Sequence, residues 1–309
     1  MFELFPDLTP IRHGWLPVGD GHSLHWEISG NLKGKPVVWL HGGPGSSASP
    51  MHRRFFDPER FLIIQYDQRG CGNSRSVHPL EQNQTADLVE DLERLRQFFG
   101  LNTWSVVGGS WGGALALAYA QKYAFAVEHF LLRSPFLCSP AEIDRFMNHP
   151  PAACLTHWQA LKSHLPLNSS ESLLAFGHRV FCEQNNLVSQ SALALSWAQY
   201  ESAMNDYPAP AQALQLLSGV SQIPRYQIQC HYLMNHCFVT PDALLAPDNL
   251  NRMDITLIHG EDDALCPVTN SEAILAVAPG ARLVRLPGCG HALGTQPMQK
   301  ALLGAIASW

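Results

Sequence analysis

The stretch Val106-Val107-Gly108-Gly109-Ser110-Trp111-Gly112-Gly113 constrains this 309-residue chain more than any other. It joins an apolar run, Trp104 to Val107, to an Ala/Leu-rich helical pattern, Ala114 to Tyr123. A strand that passes straight into a helix through a serine must turn sharply, and the serine at the turn takes a strained backbone conformation. Only small residues two positions to either side let strand and helix approach closely enough, and Gly108 and Gly112 occupy those positions. The pattern predicts an α/β fold with Ser110 displayed at one edge of a mostly parallel sheet as a candidate nucleophile.

Such a serine needs hydrogen-bond donors for a developing oxyanion, a base and an acid, the acid and base following it in chain order. Val37 to Leu40 reads as a short buried strand running into His41-Gly42-Gly43-Pro44-Gly45, whose glycines can turn N–H groups toward a ligand. Gly43 is the expected first oxyanion donor, and the N–H of Trp111, directly after the serine, the second. Near the C-terminus the strand-like Ile255-Thr256-Leu257-Ile258-His259 leads into Gly260-Glu261-Asp262-Asp263. Ala281 to Leu286 leads into Pro287-Gly288-Cys289-Gly290-His291. Both loops would lie at the carboxyl edge of the sheet, where open α/β folds bind ligands. His291 is the expected base, with His259 its nearest rival among fifteen histidines. Spacing leaves the acid open among Glu261, Asp262 and Asp263.

These motifs together resemble the proline iminopeptidases (prolyl aminopeptidases) of the α/β-hydrolase superfamily, nearly end to end. His41-Gly42-Gly43-Pro44-Gly45 resembles the family's oxyanion loop. Tyr66-Asp67-Gln68-Arg69-Gly70-Cys71-Gly72-Asn73-Ser74 resembles its second signature, and Gly260 to Pro267 its acid loop, in which the acid falls on Asp263. The family recognises the free amino terminus of its substrate through residues in and near a helical cap, and the match there is partial. Ser196-Trp197-Ala198-Gln199-Tyr200-Glu201 resembles the cap motif and makes Glu201 a candidate partner for a substrate ammonium. Leu132-Arg133 resembles the family's arginine position, although Ser134-Pro135 departs from the usual continuation. At Ile228-Gln229-Cys230-His231-Tyr232-Leu233 the family carries a second glutamate where this chain has Gln229. Glutamine keeps an acceptor oxygen but drops the charge that a buried ammonium needs, so weaker or altered amino-terminal selectivity is expected.

The resemblance implies acyl transfer from an N-terminal residue, preferentially proline. Ser110 attacks, His291 moves the proton, Asp263 orients His291, and no metal or organic cofactor takes part. A carboxylesterase or small-molecule amidase using the same triad is the alternative, and it would have no use for Glu201, Arg133 or Gln229 as amine-binding groups. Preferred N-terminal residue, peptide length and oligomeric state are not written in these motifs.

Composition agrees with a globular enzyme: 46% of residues are apolar and 15% charged. A net charge of −6 without a basic run argues against a nucleic-acid partner. No run of about eighteen apolar residues occurs and the N-terminus lacks a basic, then apolar leader, so a cytoplasmic protein with no membrane partner is expected. Eight scattered cysteines suit reduced thiols. Cys230, His231, His236 and Cys237 have metal-binding side chains, but on one helix Cys230 and Cys237 would stand about 10.5 Å apart, too far to share a zinc ion. Cys266 and Cys289, on the acid and histidine loops, are expected to be buried and inert unless they reach the pocket.

Strands are expected at Leu24 to Ser29, Val37 to Leu40, Phe61 to Tyr66, Trp104 to Val107 and Val127 to Arg133, with an amphipathic helix from Thr85 to Phe99. Residues 1–136 and 252–309 read as the catalytic domain. Between them, 137–251 shifts to Ala, Leu, Gln, Ser and His with proline-punctuated pieces such as Tyr207-Pro208-Ala209-Pro210, and reads as an inserted helical cap.

Overall fold

Short apolar runs such as Val37 to Leu40 and Phe61 to Ile64, without polar alternation, are best satisfied by burial on both faces, the environment of a parallel strand covered by helices. In a computed structural model, which describes residues 3–208 and 218–309, such runs form the middle of the sheet. Its strands are β1 (Arg12–Gly19), β2 (His22–Gly30), β3 (Lys35–Leu40), β4 (Phe61–Tyr66), β5 (Arg75–Ser76), β6 (Trp104–Ser110), β7 (Val127–Pro135), β8 (Ile255–Gly260) and β9 (Arg282–Leu286). The helices are α1 (Pro50–Arg53), α2 (Thr85–Phe98), α3 (Trp111–Tyr123), α4 (Pro140–Asn148), α5 (Leu155–Lys162), α6 (Leu173–His178), α7 (Leu187–Asp206), α8 (Gly219–Met234), α9 (Pro241–Leu244), α10 (Pro247–Leu250), α11 (Thr269–Val277) and α12 (Gln296–Ala307). Among the described residues the strands make one sheet in the order β1-β2-β4-β3-β6-β7-β8-β9, with β5 beside β2. β1, β2 and β4 pair antiparallel, and every pairing from β4 to β9 is parallel.

The two-residue period of a strand sends alternate side chains to opposite faces. Val37, Trp39, Ile63, Val107 and Ile258 pack with Phe55, Phe56 and the Met298, Leu302 and Ile306 stripe of α12. Their neighbours Val38, Leu40, Ile64, Val106 and Leu257 pack on the other face, with Leu88 and Leu92 of α2 and Leu115 of α3. The regular spacing in α2 and α12 is thus the record of two separate cores.

Several boundaries differ from the expected ones. β1 went unread because Arg12–Gly19 holds Gly14 and Pro17 and no apolar run; it survives as an edge strand, where proline is tolerated. The helix after Ser110 begins at Trp111 rather than Ala114, since Gly112 and Gly113 already lie in its first turn. The charged positions of α2 are not all solvated either: Asp91, Glu93 and Arg96 are buried, with Asp91 bound to Arg69 through contacts of 2.6 and 2.8 Å.

Between β7 and β8 the chain inserts α4 to α10. α7 and α8 pack on each other through Trp197 and Tyr226, with Phe181 against both. α8 ends at Met234 and Cys237 takes φ 54°, so Cys230 and Cys237 do not share a helix. His231 contacts the Asn83 carbonyl at 3.0 Å instead. Of the proline-punctuated pieces, Ala209 and Pro210 lie outside the described residues.

The joint between β6 and α3 is set by backbone proximity. A Cβ on Gly108 would stand 2.3 Å from the Gly112 carbonyl oxygen, and one on Gly112 would stand 2.2 Å from that of Leu40. Neither oxygen can retreat without moving a central strand or a helix. Gly112→Ala should therefore destabilise the protein by about 1–3 kcal/mol, read as a lower urea midpoint at unchanged slope; a midpoint equal to wild type would refute the close-approach argument.

Candidate active site

Four loops at the carboxyl ends of β3, β6, β8 and β9 bring the residues of interest to one edge of the sheet. Ser110 closes β6 with φ 56° and ψ −126°, a region that non-glycine residues rarely enter. The Ser110 side chain does not cap α3. The first N–H groups of a helix lack intrahelical acceptors, and Trp111 is the first residue of this one. Gly43 lies on the facing loop and shares two cavities with Ser110.

Of the three adjacent carboxylates only Asp263 is buried; Glu261 and Asp262 are exposed. Asp263 Oδ2 lies 2.7 Å from His291 Nδ1, and Oδ1 accepts the N–H groups of Leu265 and Cys266 at 3.0 and 2.8 Å. Burial alone would raise its pKa, but the charge and hydrogen bond of His291 prevail and hold the carboxyl below its ordinary value. The acid and histidine loops touch through backbone: a Cβ on Gly260 would meet the carbonyl oxygens of Cys289 and Gly290, each at 2.4 Å.

His259 is occupied elsewhere. Its Nε2 donates to the Cys266 carbonyl at 2.9 Å and its Nδ1 pairs with Ser271 Oγ at 2.7 Å, which tie the acid loop down. Burial also lowers its pKa. His291 and Ser110 line a common cavity of about 350 Å³. No hydrogen bond joins them here; such bonds commonly tighten only in the substrate complex.

The second signature acts as a set of struts that sequence reading left without a role. Asp67 accepts the N–H of Ala48 at 2.7 Å and of Asn73 at 2.8 Å, pinning the glycine loop to its own. Gln68 donates to the His41 carbonyl and accepts from Trp111 Nε1, each at 2.9 Å, so one side chain ties together both oxyanion candidates' segments. His41 Nε2 accepts the Gln68 N–H at 3.0 Å and is therefore unprotonated there, in keeping with a pKa lowered by burial.

Glu201, on α7, and Gln229, on α8, meet across the pocket. Gln229 Nε2 donates to Glu201 Oε1 at 2.8 Å, which fixes the amide and leaves Gln229 Oε1 buried without a partner among the described residues. Glu201 Oε2 accepts from Arg225 Nη2 at 2.5 Å and from the Tyr226 hydroxyl at 3.1 Å. Arg225 was not anticipated; it is the sole Lys or Arg in α8, which was the available signal. Arg133 lines the cavity and donates through Nη1 to the His291 carbonyl, so it also positions the histidine loop. A smaller pocket beside Ser110, about 60 Å³, is lined by Phe136, Ile143, Phe146, Leu233 and Leu265, with Glu142, Glu201 and Gln229 as its polar side chains. Cys266 lines it too, and burial pushes its thiol well above the usual range; Cys289 is likewise buried. Among the described residues no cluster of three or more His, Cys, Asp or Glu side chains is placed to hold a metal ion.

The Asp263–His291 pair generates a stability prediction. A carboxyl with a depressed folded pKa stabilises fully above its unfolded value, about 3.9, and the contribution is lost as pH falls through the folded value. Wild type should thus exceed Asp263→Asn in urea midpoint most at neutral pH, with the gap closing below about pH 4; a gap constant into strong acid would contradict the assignment.

Comparison with known proteins accords with this geometry. Residues 35–294 match the family profile of the alpha/beta hydrolase fold. The chain is 36% identical to the proline iminopeptidase of Arabidopsis thaliana over 93% of its own length and 77% of the relative's. It is 32% identical to a probable proline iminopeptidase of Leptolyngbya boryana over 99% and 96%. Among solved structures, a proline iminopeptidase-related protein of Thermus thermophilus superposes with a TM-score of 0.62 at 22% identity, covering 96% of this chain and 97% of that one, and shares the fold. Fold, family profile and near full-length identity converge: the chain belongs to the proline iminopeptidase family of α/β-hydrolases.

Proposed function

We propose that this chain is a serine aminopeptidase that releases an N-terminal residue, preferentially proline, from small peptides with a free amino terminus. The observation that carries the reading is the polar part of the small pocket: Glu201 and Gln229 line the same pocket as Ser110, and Gln229 Oε1 has no partner among the described residues. A pyrrolidine ring suits the Phe136, Ile143, Phe146 and Leu265 side, and its ammonium hydrogens suit two oxygen acceptors. An ester or amide substrate without an amine would leave Gln229 Oε1 without a donor.

In this scheme Ser110 Oγ attacks the carbonyl of the N-terminal residue as His291 Nε2 takes its proton, while Asp263 stabilises the imidazolium formed. The N–H groups of Gly43 and Trp111 receive the oxyanion, with α3's positive end behind the latter. His291 then protonates the departing amine, and water hydrolyses the acyl-enzyme by the reverse route. Arg133 keeps the His291 backbone in place. The insertion 137–251 acts as the cap, and 1–136 with 252–309 as the catalytic domain. Cytoplasmic location without a nucleic-acid or membrane partner belongs to the same reading. It is supported by the net charge of −6 and by the absence, among the described residues, of a helix long and apolar enough to cross a membrane.

Two measurements test this. Ser110→Ala should lower kcat on a prolyl arylamide by about four orders of magnitude or more with the fold retained, and substantial turnover by a clean preparation would overturn the nucleophile. Glu201→Gln should raise KM for the free-amine arylamide while an N-acylated analogue stays uncleaved by either protein. Cleavage of the N-acylated compound or an aryl ester alone would point to the amidase or esterase instead.

A further inference from the structure

Arg225 has no part in the acyl transfer, yet it sits in the site. Its Nη2 is bound to Glu201 at 2.5 Å, and its Nε is buried without an acceptor among the described residues. Burial works against its charge, but Glu201 outweighs this and holds the guanidinium firmly protonated. The carboxylate expected to receive a substrate ammonium is therefore already compensated. With Gln229 uncharged, the Glu201, Arg225 and Gln229 cluster has no net charge. The other carboxylate lining the small pocket, Glu142, is already held by Ser139 and Asn270, so a substrate carrying only an ammonium would add a positive charge to a Glu201 cluster that has none to balance it, which is unfavourable where the groups are partly desolvated.

A zwitterion removes the imbalance. Arg225 lines the 350 Å³ cavity that holds Ser110, Glu201 and His291, and also a neighbouring cavity of about 460 Å³ lined by Gly45, Ser46, Gly72 and Ser221. Ser46 and Gln222 line both as well, so the two cavities adjoin at Arg225. Arg133, the other Lys or Arg lining the first cavity among the described residues, also has an unpartnered Nε, but its Nη1 donates to the His291 carbonyl and its neighbouring charge is Asp263, so it serves the histidine loop. An extended chain advances about 3.3–3.6 Å per residue, so the C-terminal carboxylate of a dipeptide lies about two residue lengths from its amino group, within reach of a guanidinium adjoining Glu201.

Resting on the aminopeptidase reading, we propose that Arg225 is a specificity residue that binds the C-terminal carboxylate of the substrate. The preferred substrates are zwitterionic dipeptides: the ammonium takes Glu201 and Gln229 Oε1, and the carboxylate takes the Arg225 guanidinium where it lines the two cavities.

The test compares L-prolyl-L-alanine with L-prolyl-L-alaninamide, which share the scissile bond and amino terminus and differ in the terminal charge. Wild type should favour the free acid by about tenfold or more in kcat/KM, the scale of one charge-assisted hydrogen bond. Arg225→Gln should bring the two substrates within about twofold, chiefly through KM for the acid, and Arg225→Lys should restore part of the preference because it keeps the charge without the planar fork. The wild-type comparison needs no variant. Equal cleavage of acid and amide by wild type overturns the proposal, as does an Arg225→Gln protein that keeps the preference. Equal losses on both substrates would mean that Arg225 only holds Glu201, and overturn it too. If wild type cleaves neither dipeptide nor a prolyl arylamide but does cleave an aryl ester, the aminopeptidase reading itself falls and this proposal with it.

Discussion

The reacting edge of this molecule depends on one backbone contact, the seating of Gly112 of α3 against the carbonyl of Leu40 at the end of β3. It forces the chain to leave β6 at Ser110 with positive φ, and it points the open N-terminus of α3 toward the glycine loop that follows β3. The segments carrying Ser110, Trp111 and Gly43 are thereby brought together, and the Gln68 side chain ties the same segments. The strain at Ser110 persists because buried apolar side chains, Leu115, Leu117 and Tyr119 among them, hold α3 in place.

Around that contact the loops are fastened by buried polar groups. Asp67, Gln68 and Arg69 are consecutive, and each reaches a different segment: the glycine loop, the His41 and Trp111 pair, and Asp91 of α2. Buried polar groups are tolerable only when satisfied, and a satisfied network admits few alternative geometries. The same logic explains why the acid loop has its own histidine. His259 and the two N–H groups donated to Asp263 keep the carboxylate aimed at His291.

The candidate catalytic and substrate-binding residues come from different parts of the chain. The sheet-edge loops present Ser110, His291 and Asp263, the candidate nucleophile, base and acid, whereas the insertion between β7 and β8 supplies Glu201, Arg225, Tyr226 and Gln229. With Gln229 uncharged and Arg225 paired with Glu201, the group that α7 and α8 bring together is dipolar instead of anionic.

What the sequence by itself determined is local. The buried strands announce themselves as continuous apolar runs, the elbow as glycines at fixed spacing, and the candidate residues Ser110, Gly43 and His291 as positions at strand ends, because period and turn geometry act over a few residues. β1 was illegible since an edge strand needs no apolar run and Pro17 disguises it. Spacing could not choose among Glu261, Asp262 and Asp263, for only the close approach of the histidine loop at Gly260 decides which carboxylate is buried. Nor could it reveal the Arg69–Asp91 pair or the Arg225–Glu201 pair. In each, the partners lie more than twenty residues apart in the chain, so their contact exists only once α2 docks on the sheet and α7 packs against α8. Charge compensation in a pocket is a property of packed elements, and tertiary structure alone decided it.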